Sequence, residues 1–332
     1  MRTYAKISLL MLMTLPLLPL LSCGSAHDAD EKYVLLATNL QVPYWQTAGA
    51  GFMQVASQWK VRAEFAGPQT YDPNEEVQEF RKAVQQKVTG ILVSPSDPNL
   101  MKEDIDKAIA AGIPVITMDS DAPTSKRLFF IGTNNYQAGL TGGQRLAKEL
   151  HDRGNVVVFT MPGQANLKER LRGYEDALAA HPQIKITRVV DIKGDPRVAF
   201  DTTNQILGKE RDKVNAFVCL EAQAGKEVAS VLSSNRIKDK VIIAMDTDPD
   251  TLDWIDKGVI VATISQKPFT MASFGLRMLD NLHHHKLASL DKDWSEDSFA
   301  PVPAFVDTGS SLIDKSNLAA FRAANQSMNA AK

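Results

Sequence analysis

Tyr44 and Trp45, Asp119, Asp246 and Gln266 share one place in the pattern of the chain: each follows closely on a short apolar run that reads as a buried strand. Aromatic rings supply flat apolar walls, while carboxylates and amides supply directional acceptors and donors. Such a set suits recognition of a small polar molecule. Groups that would break bonds lack their partners. Gly49-Ala50-Gly51 lies within a helical stretch, and Gln54 stands where the third glycine of a dinucleotide fingerprint belongs. Gly225-Lys226 lacks the earlier glycine and the following Ser or Thr of a phosphate loop. No Gly-x-Ser-x-Gly elbow occurs, and no nucleophile has a plausible base. In His283-His284-His285, consecutive helical side chains point in different directions and make a poor ligand set. The expectation is therefore no catalysis, no metal and no cofactor. Plainer readings stand beside the binding one. The two rings could be helix-cap packing, each Asp could cap the next helix, and Arg170, among Lys168, Glu169 and Arg172, could be surface charge.

The elements that must position these residues repeat one alternation. Val34-Leu35-Leu36-Ala37 is a strand, Pro43 ends it, and Trp45, Ala48, Phe52, Val55, Ala56 and Trp59 recur at helical spacing. Strands follow at 61–65, 90–93, 113–118 and 128–131, with helices at 74–87 and 101–111. A second series begins after the helix 140–151, with strands at 156–159, 184–190, 216–220, 241–245 and 259–264. A helix at 269–282, a polar stretch at 286–298, a strand at 302–306 and a weak last helix complete the chain. Continuous apolar strands joined by helices make a parallel sheet covered on both faces. Two series of similar length argue for two similar lobes, and polar residues at the strand ends of both place a binding cleft between them.

In front of this stands a charged start, Arg2 and Lys6, and the uncharged run ISLLMLMTLPLLPLL, the pattern of a secretory signal over 1–22. Leu20-Leu21-Ser22-Cys23-Gly24 resembles the bacterial lipobox, which implies a lipid on Cys23 and a tether over 23–32. Lys plus Arg number 37 against 39 Asp plus Glu, so no basic excess points to nucleic acid, and no second long apolar run points to a membrane span. Of the two cysteines, Cys219 sits in an apolar strand and reads as a small buried hydrophobe.

From Tyr33 to Val306 the chain resembles the periplasmic sugar-binding proteins of ABC transporters, the type I, ribose-binding-like family. The motifs that carry the likeness are Val42-Pro43-Tyr44-Trp45, Gly90-Ile91-Leu92-Val93-Ser94-Pro95, Gly112 to Asp119, Gly132 to Gly139, Glu169-Arg170-Leu171-Arg172-Gly173-Tyr174, Met245-Asp246 and Ala262 to Gln266. The resemblance implies two Rossmann-like lobes joined by three hinge crossovers, near Gly132, Gln266 and Asp297. It implies a first lobe of 33–132 plus 267–296 and a second of 133–266 plus 297–332. Tyr44 and Trp45 match aromatics that sandwich a sugar ring, Asp119 and Asp246 match carboxylates that accept hydroxyls, and Arg170 matches an arginine that donates its planar fork. Gln266 falls at a hinge crossing. Departures fall at Val42, Ser94, Ser120 and Glu221, where ribose-type members carry asparagine or arginine, and at Asp195, where an aromatic often stacks. They leave a monosaccharide as the expected ligand and put ribose itself in doubt. Ser94, Glu221 and Asp195 remain in the expected ligand set, with Thr38, Gln41, Asn135 and Gln223 nearby. The implied role is that of a monomer in the periplasm or cell envelope that delivers sugar to an ABC permease. The alternative is a sensor whose closed form signals to a membrane kinase or chemoreceptor. The family's regulator relatives carry a DNA-reading helix-turn-helix where this chain has its signal peptide, which speaks against a repressor.

Overall fold

The computed structural model describes residues 27–28, 30–294 and 297–330. The expected signal over 1–22, the expected lipidation at Cys23 and the first part of the expected tether lie outside the described residues. Along the chain, β1 (Lys32–Leu36), α1 (Pro43–Trp59), β2 (Arg62–Ala66), α2 (Pro73–Gln85), β3 (Gly90–Val93), α3 (Pro98–Ala110), β4 (Val115–Met118) and β5 (Phe130–Gly132) form the first series. The second comprises α4 (Asn135–Glu149), β6 (Arg153–Thr160), α5 (Ala165–Ala179), β7 (Gln183–Asp191), α6 (Pro196–Lys209), β8 (Ala216–Cys219), α7 (Ala224–Ser234), β9 (Val241–Met245), α8 (Pro249–Asp256) and β10 (Ala262–Ser265). Then come α9 (Pro268–His284), β11 (Phe305–Asp307), β12 (Ser311–Asp314) and α10 (Leu318–Ala330).

The strands build two six-stranded sheets, ordered β11-β5-β4-β3-β1-β2 and β12-β10-β9-β8-β6-β7. Their pairs are parallel except for β12, which runs antiparallel to β10. The strand order is the same in both lobes. Central strands such as β3 and β8 are buried at every residue, because helices cover both faces of each sheet. Cys219, on β8, is 1 % exposed and packs as an apolar residue.

Helix starts follow one local rule. α2, α3 and α6 each open on Asp-Pro: Asp72, Asp97 and Asp195 accept hydrogen bonds from backbone N–H groups of the first turn, and the proline takes the first helical position, where no N–H is needed. α9 leaves the second series and returns to the first lobe, where Met271, Ala272, Leu276 and Leu279 join its core. Among the described residues, no helix is long and apolar enough to cross a membrane.

The third crossing does not fall near Asp297. β11 pairs in parallel with β5, Val306 opposite Ile131, so the chain stays with the first sheet as far as Asp307. It reaches the second sheet only at Ser311, which pairs with Ser265. The polar stretch before β11 hides this in the sequence: Trp294 is its single described residue with a deeply buried ring.

Candidate ligand-binding cleft

Both lobes present the carboxyl ends of their parallel strands to one another, the edge where open α/β sheets bind ligands. On the first lobe, β1 runs out at Thr38 and Asn39, and Pro43 at the start of α1 places Tyr44 and Trp45 on the first helical turn. Tyr44 and Trp45 are 7 % and 4 % exposed. Their rings meet at 82° with centroids 5.1 Å apart. They therefore form a corner; two rings enclosing a sugar between parallel faces is not the arrangement. β4 ends at Asp119, which accepts from the Tyr44 hydroxyl at 2.7 Å and from the Ser94 hydroxyl at 3.4 Å.

On the second lobe, Arg170 projects from the second turn of α5. Gly173, one turn on, lets α4 press close: a Cβ there would meet the Tyr136 carbonyl oxygen at 2.2 Å. The close crossing puts Asn135, at the start of α4, beside the guanidinium. Arg170 Nη2 donates to Asn135 Oδ1 at 2.6 Å and Nη1 donates to the Leu220 carbonyl. Its Nε is buried and has no hydrogen-bond partner among the described residues. β9 ends at Asp246, which accepts from the Gln266 amide at 2.9 Å.

Asp119 and Asp246 hold equivalent places in the two lobes and share a backbone oddity. Their φ angles are +62° and +67°, the left-handed region that side-chain-bearing residues seldom adopt. Each N–H donates to the neighbouring strand, Asp119 to Ile131 and Asp246 to Ile264, which holds the turn. Strain of this kind, about 1–3 kcal/mol per residue, gathers where the surrounding structure fixes a functional group.

Contacts cross between the lobes. Asn166 of α5 donates to Asp119 at 3.1 Å. Tyr71, after β2, packs against Gly194, after β7, and the two belong to opposite lobes. Between these contacts lies a cleft holding about 540 Å³ of atom-free space, a figure that includes the solvent at its open mouth. Tyr44, Trp45, Asp119, Arg170, Asp246 and Gln266 line it together. Glu221 lines it too, but both its oxygens accept from the first backbone N–H groups of α7, at 2.7 Å from Gln223 and 2.6 Å from Ala224. Ser94 lies behind Asp119, fully buried, and orients it. Asp195 stays outside the inner cavity: it caps α6, pairs with Arg197 at 2.7 Å and borders only the outer mouth. The Asp-Pro start commits its side chain to the helix and to Arg197, which holds it off the inner cavity. Asn166, Gln164, Tyr71 and Met161 also line the cavity. Asn166 is the second residue of α5 after β6, as Tyr44 is the second residue of α1 after β1, the one sequence signal that points to it.

Burial dominates the electrostatics. It raises the pKa values of Asp119 and Glu221, opposed at Asp119 by the Tyr44 hydrogen bond and the Arg170 charge, and at Glu221 by backbone hydrogen bonds. Asp246 is pushed to about 7, again by burial, against the pull of Arg170 and Gln266. The folded state therefore keeps this proton from the ordinary value of 3.8 up to about 7, a range in which the unfolded chain has lost it. The stability from Asp246 is complete below pH 4 and declines as pH rises towards 7. Thermal melts of Asp246→Asn and the parent from pH 4 to 8, without ligand, check this. The variant should gain on the parent by a few degrees across that range, and a constant difference would refute the assignment.

Comparison with known proteins agrees with this geometry. The family described as the periplasmic binding protein domain matches residues 33–286. The chain is 25 % identical over 278 residues to the xylose/arabinose-binding protein XylF of Sulfolobus acidocaldarius, covering 77 % of this chain and 64 %, just under two thirds, of that relative. It is 23 % identical over 264 residues to the ribose import binding protein RbsB of Haemophilus influenzae, covering 79 % and 89 % of the two chains. Among solved structures, AraP, an arabinose binding protein from Geobacillus stearothermophilus, is 33 % identical with a TM-score of 0.72, covering 88 % of this chain and 99 % of that one. GanP, a glucose-galactose binding protein from the same organism, is 28 % identical with a TM-score of 0.79 and the same coverage. With 33–286 matched, two mostly parallel lobes and a cleft at their strand ends, the chain belongs to the periplasmic binding protein family, in its two-lobed type I fold.

Proposed function

We propose that the protein binds a monosaccharide, a pentose or a hexose, in the interlobe cleft and delivers it unchanged to the permease of an ABC importer. The observation that carries this is the convergence of Asp119 from one lobe with Arg170 and Asp246 from the other, buried beside an aromatic corner. A sugar carries hydroxyls in fixed directions around an apolar C–H face. Asp119 and Asp246 accept from the hydroxyls, Arg170 donates through Nε, and Tyr44 and Trp45 pack on the C–H face. A wrong hydroxyl pattern would leave one of these buried groups unpaired, at about 1–3 kcal/mol. The names of the relatives, which bind xylose, arabinose, ribose, glucose or galactose, support the ligand class. In this reading the protein works in the periplasm or cell envelope, held by a lipid on Cys23, and acts as a monomer.

Thermal unfolding against a panel of pentoses, hexoses, deoxysugars and polyols tests the proposal. A sugar held at a thousand times its dissociation constant stabilises by about 4 kcal/mol, roughly 8–16 °C for lobes of this size. The shift should vanish in Asp119→Ala, and the sugar recovered from the complex should be chemically unchanged. A panel that moves nothing sinks the carbohydrate reading.

A further inference from the structure

Far from the cleft, three ligand-type side chains meet at the base of the first lobe. Asp280 and His284 stand one turn apart on the last part of α9, and His27 comes from the start of the described chain. One ligand atom from each lies within 4.8 Å of the others. His27 Nε2 is 3.2 Å from Asp280 Oδ1, and His284 Nε2 is 3.6 Å from the same oxygen. Glu31 Oε1 lies 3.3 Å from His284 Nε2. A tetrahedral ion with bonds of about 2.0–2.1 Å sets its ligand atoms roughly 3.3 Å apart, close to these separations. Only the approach of the two imidazoles needs side-chain adjustment.

The surroundings are those of a supported site. Glu31 is 4 % exposed, and its Oε2 is buried with no hydrogen-bond partner among the described residues. Its Oε1 is held by the Asp28 N–H at 2.9 Å. The Tyr33 hydroxyl donates to Asp280 Oδ1 at 3.2 Å, fixing the carboxylate from β1. The His27 ring stacks on Trp59, centroids 4.8 Å apart at 14°. His284 is partly open to solvent, which gives an ion a path in. The helical run His283-His284-His285 is not what makes the site. Only His284 faces Asp280 four residues before it, and the third ligand comes from the other end of the sequence.

We propose that His27, Asp280 and His284 bind a divalent ion of the zinc class, with the Glu31 carboxylate or a water completing a tetrahedral shell. Two neutral imidazoles and carboxylate oxygen form a donor set suited to zinc and poor for magnesium. The ion would clamp the chain, where it enters the first lobe, onto α9 from the far end of the sequence.

The full chain, stripped with a chelator, can be titrated with Zn²⁺ by calorimetry and by thermal unfolding, with Mg²⁺ as control, and with Co²⁺ by visible absorption. About one equivalent of zinc should bind and raise the melting temperature where magnesium does not, and cobalt should show the intense bands of a tetrahedral site. His27→Ala and His284→Ala should each weaken binding at least about a hundredfold, while His283→Ala and His285→Ala leave it within about twofold. Asp280→Asn, which keeps an acceptor for Tyr33, should weaken zinc binding while the metal-free melt stays close to the parent. Zinc uptake that is absent, that survives His27→Ala and His284→Ala, or that depends on His283 and His285 instead would overturn the site. The first of these outcomes would leave the cluster as histidine–carboxylate ion pairs.

Discussion

Arg170→Ala should abolish ligand binding and lower the stability of the unliganded protein by about 3–5 kcal/mol, the usual cost of removing one partner from a buried charged set. Arg170 is 2 % exposed and is the cation lining the inner cavity, facing Asp119 and Asp246. Without it both carboxylates lose the charge that opposes their burial, and the Leu220 carbonyl and Asn135 lose a donor. The melting temperature should fall by roughly 6–20 °C near neutral pH. The deficit should shrink towards pH 5, because protonated carboxylates no longer need the cation. Arg170→Lys should recover part of the stability and little of the binding, since an ammonium cannot serve Leu220, Asn135 and a ligand with one planar fork. Melts and ligand titrations at pH 5 and pH 8 check this. A deficit that stays constant with pH would show that Arg170 acts by packing alone.

The second large effect is expected at Gly194. Its φ is +72°, and a Cβ added there would sit 2.3 Å from Cβ of Tyr71 on the opposite lobe. Tyr71 has little room to retreat: its hydroxyl donates to the Ser96 carbonyl at 3.2 Å and also interacts with Gln164 across the cleft. Gly194→Ala would cost about 1–2 kcal/mol in backbone strain in either arrangement of the lobes. The clash arises only where the lobes meet, so it falls on the closed form. Ligand affinity should drop at least about a hundredfold, which is roughly 2.7 kcal/mol, while the backbone strain alone lowers the unliganded melt by roughly 2–8 °C. Tyr71→Ala in the same chain should restore part of the affinity, the coupling expected of two residues in direct contact. If the double variant binds no better than Gly194→Ala, the loss comes from local strain and the two lobes do not meet there on closing.

The alternation of strands and helices was legible because strands buried on both faces must be apolar throughout, as Gly90 to Val93 and Ala216 to Cys219 are, and because turn residues bound each short run. The cleft was legible for a related reason. Asp119 and Asp246 end apolar strands at the edge where the two sheets face each other. What escaped depends on contacts distant in sequence. Nothing local to Asn166 or Tyr71 shows that each meets a residue of the other lobe. Asp195 sits in the cleft-facing loop yet answers to its own helix, and only the fate of its oxygens separates the two roles. β12 is four residues of mixed character, and its pairing with β10 is fixed by where the chain returns, not by its composition. The pairing of His27 with His284 joins residues 257 apart in a chain of 332 and has no sequence signature at all.

The first lobe is completed late in synthesis, and only β12 and α10 of the second lobe follow its last strand. Its sheet gains β11 and its core gains Met271, Leu276 and Leu279 of α9 only after every strand of the second lobe's parallel set has been synthesised. A chain emerging N-terminus first thus carries β1 to β5 with their apolar faces partly bare while 135 further residues, 133–267, follow. Closing so long a loop delays the native contacts of the first lobe, and the second lobe, continuous from α4 to β10, is the one free to form early. The order of folding should therefore run against the order of synthesis, with the α4 to β10 body of the second lobe forming ahead of the first lobe.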